Sequence, residues 1–240
     1  MRLSFKKTVD GYEGNQHMQK SYALFDFDGT LLRGDSLVQF CGYAHRQGLC
    51  TSKQLRRGIG TAFLYVLGLR TAEQSKIAAL SFIVGRTEAQ LQDVSARFWE
   101  DALRRRMRRQ GLEALKQRKA EGAEVLLVTA SPAFYLEPVR VALGITAVIG
   151  TRMDIGTDGR ATGMICGQNC KGVQKPLRLA EYLAASGERL DYDSSYAYGD
   201  SHSDAPMLEL CGHKVAVNAK RKLRKKLHGL EGATFVRWKE

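Results

Sequence analysis

Proline is scarce in this chain, 4 in 240 residues, and tryptophan scarcer still at 2. So little proline excludes polyproline and collagen-like stretches. The 5 cysteines, Cys41, Cys50, Cys166, Cys170 and Cys211, are odd in number and scattered. That argues against a disulfide scaffold and for a reduced, cytoplasmic protein. Cys166 and Cys170 have neither a second cysteine pair nor nearby histidines, so a zinc clip is not expected. The N-terminal stretch lacks the apolar core of a secretory signal. Gly60 and Gly68 interrupt the longest apolar run, residues 59–69, which falls short of the roughly 20 residues that span a bilayer. A transmembrane protein is not expected, although one that touches a membrane surface remains open. Acidic residues are outnumbered 25 to 37 by Lys and Arg, a net charge of +12, which favours partners carrying phosphate or other anionic groups. What is present is ordinary: 44% hydrophobic and 26% charged residues, the composition of a globular protein large enough for a core with an inserted domain.

Residues 1–20 have no apolar period and read as a loose extension. Tyr22-Ala23-Leu24-Phe25 then forms a short apolar run that stops at Asp26-Phe27-Asp28-Gly29-Thr30, the pattern of a buried parallel strand ending in a polar turn. A helical region follows from about Ser36 to Lys119, with Ser36, Thr71 and Thr87 as candidate N-caps. Glu124 to Val128 predicts a second strand, ending in Thr129-Ala130-Ser131-Pro132 and followed by a helix over 133–143. Ala147 to Gly150 predicts a third strand, and residues 151–164 alternate around Asp158-Gly159, a hairpin signal. A helix over 175–185 and strands at 195–198 and 215–217 complete the pattern. Strands alternating with helices imply an α/β fold, a parallel sheet with helices on both faces and its sites at the carboxyl ends of the strands.

Asp26 and Asp28 stand two apart at one strand end, where the period of two can turn both carboxylates into one pocket. Asp200 and Asp204 lie at another strand end, in Gly199-Asp200-Ser201-His202-Ser203-Asp204. Carboxylates brought this close repel unless a cation or shared proton relieves them, and an oxygen-only set suits magnesium. Thr129, Ala130 and Ser131 offer hydroxyls and backbone N–H groups at an expected helix start, an environment that phosphate oxygens favour. Lys175 sits at a helix start, unfavourably with the helix dipole, and so needs another reason to be there.

Asp26-Phe27-Asp28-Gly29-Thr30-Leu31, the strand ending in Thr129, Lys175 with its apolar helix, and Gly199-Asp200 with Asp204 match in order and spacing the four motifs of the haloacid dehalogenase-like superfamily. From residue 21 onward the chain resembles that family, and its insertion after the first motif and the segment 169–175 resemble the phosphoserine phosphatase-like branch. Lys171 competes for the third motif; Lys175 is preferred because the leucine-spaced helix begins there. The resemblance implies a three-layer Rossmann-like core at 21–33 and 112–240, a helical cap insertion at 34–111 and a β-hairpin. It further implies a phosphomonoesterase that works through an aspartyl-phosphate. Asp26 is the nucleophile, Asp28 the general acid and base, and Thr129, Ala130, Ser131 and Lys175 bind the phosphate. Asp26, the backbone carbonyl of Asp28 and Asp200 hold magnesium, which Asp204 supports from behind. Dehalogenases of the superfamily lack the Asp at position 28, so a hydrolase of phosphate esters is expected.

Other readings are a phosphoserine phosphatase proper, a non-catalytic phospho-accepting domain, or an anion-binding protein using Arg104-Arg105-Arg106 and Lys220-Arg221-Lys222. Aromatic residues are not interleaved with these clusters, so nucleic acid is not expected as a partner. In the phosphoserine phosphatases a glutamate nine residues after the nucleophile receives the substrate amine and a cap arginine its carboxylate. Here the ninth residue is Asp35, and residues 73–79 contain no arginine, which disfavours phosphoserine and marks Asp35 as a specificity position. Ile59, Phe63, Leu64, Val66, Leu67 and Leu69 either pack between cap helices or form an apolar entrance for a lipid phosphate at an anionic membrane surface. The expected substrate is thus a small phosphorylated metabolite or a lipid phosphate.

Overall fold

The computed structural model describes residues 18–239. Six parallel strands form the central sheet: β2 (Tyr22–Phe25), β3 (Glu124–Pro132), β4 (Ala147–Thr151), β8 (Tyr196–Gly199), β9 (His213–Val217) and β10 (Ala233–Val236), in the order β10-β9-β8-β2-β3-β4. The chain builds outward from β2 in one direction through β3 and β4, then returns to the other side of β2 with β8. This reversal opens a crevice at the carboxyl end of β2. All four residues of β2 are buried, as expected of a strand covered on both faces. Its side chains alternate between two cores: Ala23 and Phe25 join one, Tyr22 and Leu24 the other.

The first core is closed by α1 (Ser36–Arg46), α4 (Glu88–Phe98), α5 (Arg109–Ala120) and α6 (Glu137–Leu143), which contribute Phe40, Leu91, Val94, Phe98, Leu115 and Val139. The second is closed by α7 (Gln174–Ser186), α8 (Ala205–Leu208) and α9 (Arg221–Leu227), through Leu179, Met207, Leu208, Leu223 and Leu227. The result is the expected three-layer α/β arrangement. The helices from α1 to α5, including α2 (Ser52–Val66) and α3 (Ala72–Ala79), are inserted between β2 and β3 as the helical cap and its return to the sheet. The antiparallel hairpin β5 (Met153–Ile155) and β6 (Ala161–Ile165) follows β4 as expected.

The structure departs from the sequence reading at several points. Met18–Lys20 is a strand, β1, paired in parallel with β7 (Glu188–Leu190), so the expected extension is ordered at its last three residues; the rest of it, residues 1–17, lies outside the described residues. The N-cap of α1 is Asp35, not Ser36: Asp35 Oδ1 accepts from Val38 N at 2.9 Å. Thr71 and Thr87 do cap their helices, each in a reciprocal pair with Gln74 or Gln90, and Thr51 does the same with Gln54. The segment 129–131 is not a helix start. Strand β3 runs on to Pro132 through a register shift between Val128 and Pro132, and the following turn to Leu136 is 3₁₀. Finally, Ile59, Phe63, Val66, Leu67 and Leu69 do not pack between cap helices; all are exposed.

Candidate active site

The turn after β2 puts its polar residues at the sheet crevice. Gly29 turns there with φ +79°, and a Cβ on it would stand 2.5 Å from an Asp200 carboxylate oxygen, so only glycine allows the ends of β2 and β8 to meet. Gly199 does the same at the end of β8, where a Cβ would lie 2.6 Å from the Cβ of Asp204. Adjacent strands β2 and β8 thereby bring Asp26, Asp200 and Asp204 together. Carboxylate oxygens of the three lie within 4.8 Å of one another, and all three residues are buried.

Lys175 enters this cluster from the first turn of α7 and is 1% exposed. Its Nζ donates to Asp26 Oδ1 at 2.7 Å and to Asp204 Oδ1 at 2.6 Å. Lys171 points elsewhere, its Nζ 2.8 Å from the Tyr65 hydroxyl. Thr30 donates to the other Asp26 oxygen at 3.2 Å. Asp204 Oδ2 accepts from the amide and hydroxyl of Ser201 at 2.9 and 2.7 Å, and Asp200 meets the exposed Lys220 ammonium at 2.7 Å. Three carboxylates therefore face two ammonium groups, an excess of one negative charge.

These contacts set the electrostatics. Burial pushes Asp26 well above the ordinary carboxylate range, the charge of Asp204 adds to this, and Lys175 opposes both. Burial acts the same way on Asp204, but there Lys175 and Ser201 win and hold its pKa below the usual value. Burial disfavours the Lys175 ammonium, yet the charges of Asp204 and Asp26 outweigh it and keep the group protonated. Burial also raises Asp200, against the pull of Lys220.

Asp28 turns away from this cluster into a cradle of hydroxyls. Its Oδ1 accepts from Ser36 N at 2.7 Å, and its Oδ2 from Ser36 Oγ at 3.1 Å and from the Ser131 hydroxyl. The Tyr135 hydroxyl closes the cradle 2.9 Å from Ser36 Oγ. Burial first, and the nearby charge of Asp35 second, push Asp28 up to about 6 despite these hydrogen bonds. Thr129 is buried beside Ser131, its Oγ1 accepting from Ser131 N at 3.1 Å. Asp35 is exposed, at the N-cap of α1, and its charge reaches Asp28.

Sequence reasoning missed three further groups. Ser36 read as a helix cap, and nothing in the sequence linked Tyr135 to Asp28. Lys76 of α3 was also missed: its buried Nζ reaches the carbonyl of Ala130, Thr151 Oγ1 at 3.1 Å and Asn169 Oδ1 at 2.6 Å, while Glu73 accepts from Asn169 N at 2.9 Å. Burial lowers Lys76 to about 8. Cap and core are thus joined beside the 129–131 segment.

A buried carboxylate held by lysine at a strand end, with a second carboxyl in a separate hydrogen-bonded cradle, can support acid–base-assisted group transfer. The profile of the haloacid dehalogenase-like hydrolases matches residues 23–209. A histidinol-phosphatase of Neisseria meningitidis is 28% identical over 208 residues, 86% of this chain and 94% of that one. The crystal structure of a Bordetella pertussis protein of unknown function superimposes with a TM-score of 0.83 at 29% identity, covering 91% of this chain and 99% of that one. A phosphoserine phosphatase solved as an analogue of its phospho-aspartyl intermediate shares the fold, with a TM-score of 0.61, 20% identity and coverage of 92% and 94%. The chain therefore belongs to the haloacid dehalogenase-like hydrolases, and is a phosphatase of that family.

Proposed function

We propose that this phosphatase hydrolyses phosphomonoesters through an aspartyl-phosphate on Asp26. The observation that carries the reading is the division of labour between two carboxyls: Asp26 is clamped by Lys175 in the acidic cluster, while Asp28 sits in its hydroxyl cradle. An oxygen of Asp26 attacks phosphorus as the bond to the leaving alcohol breaks, and Asp28 gives that alcohol its proton. Asp28 then takes a proton from the water that attacks the phospho-Asp26, releasing phosphate and restoring the site. A carboxyl with a pKa of about 6 suits a group that must both give and accept a proton near neutrality. Thr129, Ala130, Ser131 and Lys175 hold the transferring oxygens and offset their charge.

The oxygen-only donor set and its excess negative charge fit a hard divalent cation. Asp26, the backbone carbonyl of Asp28 and Asp200 would hold magnesium, with Asp204 positioning these ligands from behind. When bound, magnesium supplies charge neutralisation for a dianionic phosphate approaching a carboxylate.

We assign the cap to 34–111 and read Asp35 as a specificity residue. The substrate is a small phosphorylated metabolite or a lipid phosphate. The five free cysteines support a cytoplasmic protein.

Phosphate release from a panel containing aryl phosphate, phosphoserine, histidinol phosphate and lysophosphatidic acid, with Asp26→Asn as control, tests this. The wild type should turn over at least one of them with magnesium, and Asp26→Asn, folded but unable to attack phosphorus, none. Full activity in a sequence-verified Asp26→Asn protein would end the proposed mechanism.

A further inference from the structure

From Ser36 to Ala72 the chain carries no aspartate or glutamate, while Arg46, Lys53, Arg56, Arg57 and Arg70 supply positive charge. Helix α2 lies in the middle of this stretch. It packs on α3, and Gly58 is its only buried residue. On its outer side Ile59, Phe63 and Val66 follow one another at spacings of four and three, a single stripe along the helix. They are 61%, 62% and 78% exposed, and Leu67 and Leu69 extend the patch at 55% and 68%. Five large apolar side chains standing together in water need a partner. Arg56 precedes the stripe by one turn, and Arg70 follows it.

We propose that this outer face of α2 docks the enzyme peripherally on an anionic lipid surface, the apolar stripe entering the interface and the flanking arginines meeting lipid phosphates. Charge selects this occupant. A second copy of the chain docked through the same face would bring Arg56, Arg57 and Arg70 against their duplicates, because a two-fold contact pairs a patch with itself. Single-stranded nucleic acid would want flat rings to stack upon, and the stripe offers one, Phe63. An anionic bilayer satisfies both the aliphatic and the basic residues. No described helix is long and apolar enough to cross a membrane, so the contact is made at the surface.

The same end of α2 touches the active-site side of the core. Tyr65 bonds Lys171, four residues before Lys175, and the exposed Val173 lies between them. Docking therefore holds the segment leading into the site against the lipid surface, where a phosphate on a lipid headgroup is presented. That consequence rests on the phosphomonoesterase reading; the docking itself does not.

Sedimentation of the full chain with vesicles tests it. Binding to vesicles of phosphatidylcholine with 30% phosphatidylglycerol is expected, with little binding to pure phosphatidylcholine and weakening as salt rises. The double substitution Phe63→Glu and Leu67→Glu should lower the affinity at least tenfold while leaving aryl phosphate hydrolysis unchanged. Arg56→Gln with Arg57→Gln should weaken binding to the anionic vesicles with the fold intact, an independent check on exposed residues. Unchanged sedimentation of these variants, or no wild-type binding to anionic vesicles, overturns the proposal. A dimer in the ultracentrifuge that Phe63→Glu dissociates, without vesicle binding, gives the face to a second copy instead. Vesicle binding without any phosphatase activity would refute the catalytic reading and leave the docking surface standing.

Discussion

Replacing Lys175 by Met keeps the buried stem and removes only the ammonium, so it measures what that charge contributes. The group is 1% exposed and serves Asp26 and Asp204 at 2.7 and 2.6 Å. An exposed ion pair would contribute at most about 1 kcal/mol. Removing one partner of a buried pair costs about 3–5 kcal/mol, because the other charge stays buried without compensation. Two carboxylates are stranded here, but the costs do not simply double. Asp26, already driven upward by burial and by Asp204, takes up a proton and leaves a single charge. The expected loss at pH 8 is therefore about 3–5 kcal/mol of unfolding free energy. Its pH dependence has a definite sign. Without Lys175 the folded pKa values of these aspartates rise above their unfolded values, so the folded state binds more protons than the unfolded chain. Stability then falls as pH rises through that window, and the deficit against the wild type grows from pH 5 to pH 8. Urea unfolding followed by tryptophan fluorescence, with a chelator present in both proteins, reads this directly. A deficit below about 1 kcal/mol at pH 8, or one that shrinks with rising pH, would refute the argument.

Three further outcomes are expected. Asp28→Asn should slow hydrolysis most for alkyl phosphates, whose leaving groups need a proton, and the wild type should lose activity on those esters, relative to aryl phosphates, as pH rises above about 6; a uniform loss across leaving groups would give Asp28 a structural role. Activity should vanish on exhaustive chelation and return with magnesium but not calcium, whose larger coordination number would engage both Asp26 oxygens; turnover that survives chelation contradicts the acidic site. Lys76→Met removes one buried donor from the Ala130 carbonyl, Thr151 and Asn169 and leaves the single Thr151 hydroxyl proton to serve either the Ala130 carbonyl or Asn169, which should cost about 1–3 kcal/mol and raise KM for aryl phosphate; an unchanged KM and urea midpoint would show that this junction supports neither the fold nor the phosphate segment.

The strand ends were legible because a buried parallel strand is continuous in apolar residues and stops abruptly at polar ones. Tyr22–Phe25 before Asp26, and Tyr196–Tyr198 before Gly199-Asp200, carry that signal without help from tertiary structure. Strands that depend on a partner did not carry it. Met-Gln-Lys at 18–20 has no apolar run and is largely exposed, and it is a strand only because β7 lies beside it. The cradle around Asp28 was hidden for a related reason. Ser36 follows an aspartate at a helix start, where either residue could cap, and the choice is made by Asp28 eight residues earlier, which takes the Ser36 amide and hydroxyl. Lys76 sits on a cap helix and acts on a core strand 54 residues away. No local pattern encodes such a contact. The apolar stripe of α2 has the period of a packed helix, so sequence alone could not separate a core face from an exposed one.

Asp35 is open to two accounts. Its carboxylate caps α1 through Val38 N at 2.9 Å, and its charge is also the second cause of the raised pKa of Asp28. If it only caps, Asp35→Ala should cost about 1 kcal/mol of stability and slow all substrates alike, and Asp35→Ser, which keeps a capping oxygen, should be neutral. If it reads substrate charge, both variants should change the preference between esters that carry an amine and esters that do not, more than they change aryl phosphate turnover. Removing the charge also lowers the pKa of Asp28, so the decline of alkyl ester hydrolysis should begin at lower pH in Asp35→Ser than in the wild type. The second set of outcomes is expected, together with poor turnover of phosphoserine. An aspartate is one methylene shorter than the glutamate that meets the amine in phosphoserine phosphatases, and the cap cation nearest the phosphate segment, Lys76, is already committed to Ala130, Thr151 and Asn169. A substrate carboxylate therefore finds no free donor there. Efficient and selective cleavage of phosphoserine would overturn the first half of this argument, and Asp35→Ser behaving as the wild type on every ester would overturn the second.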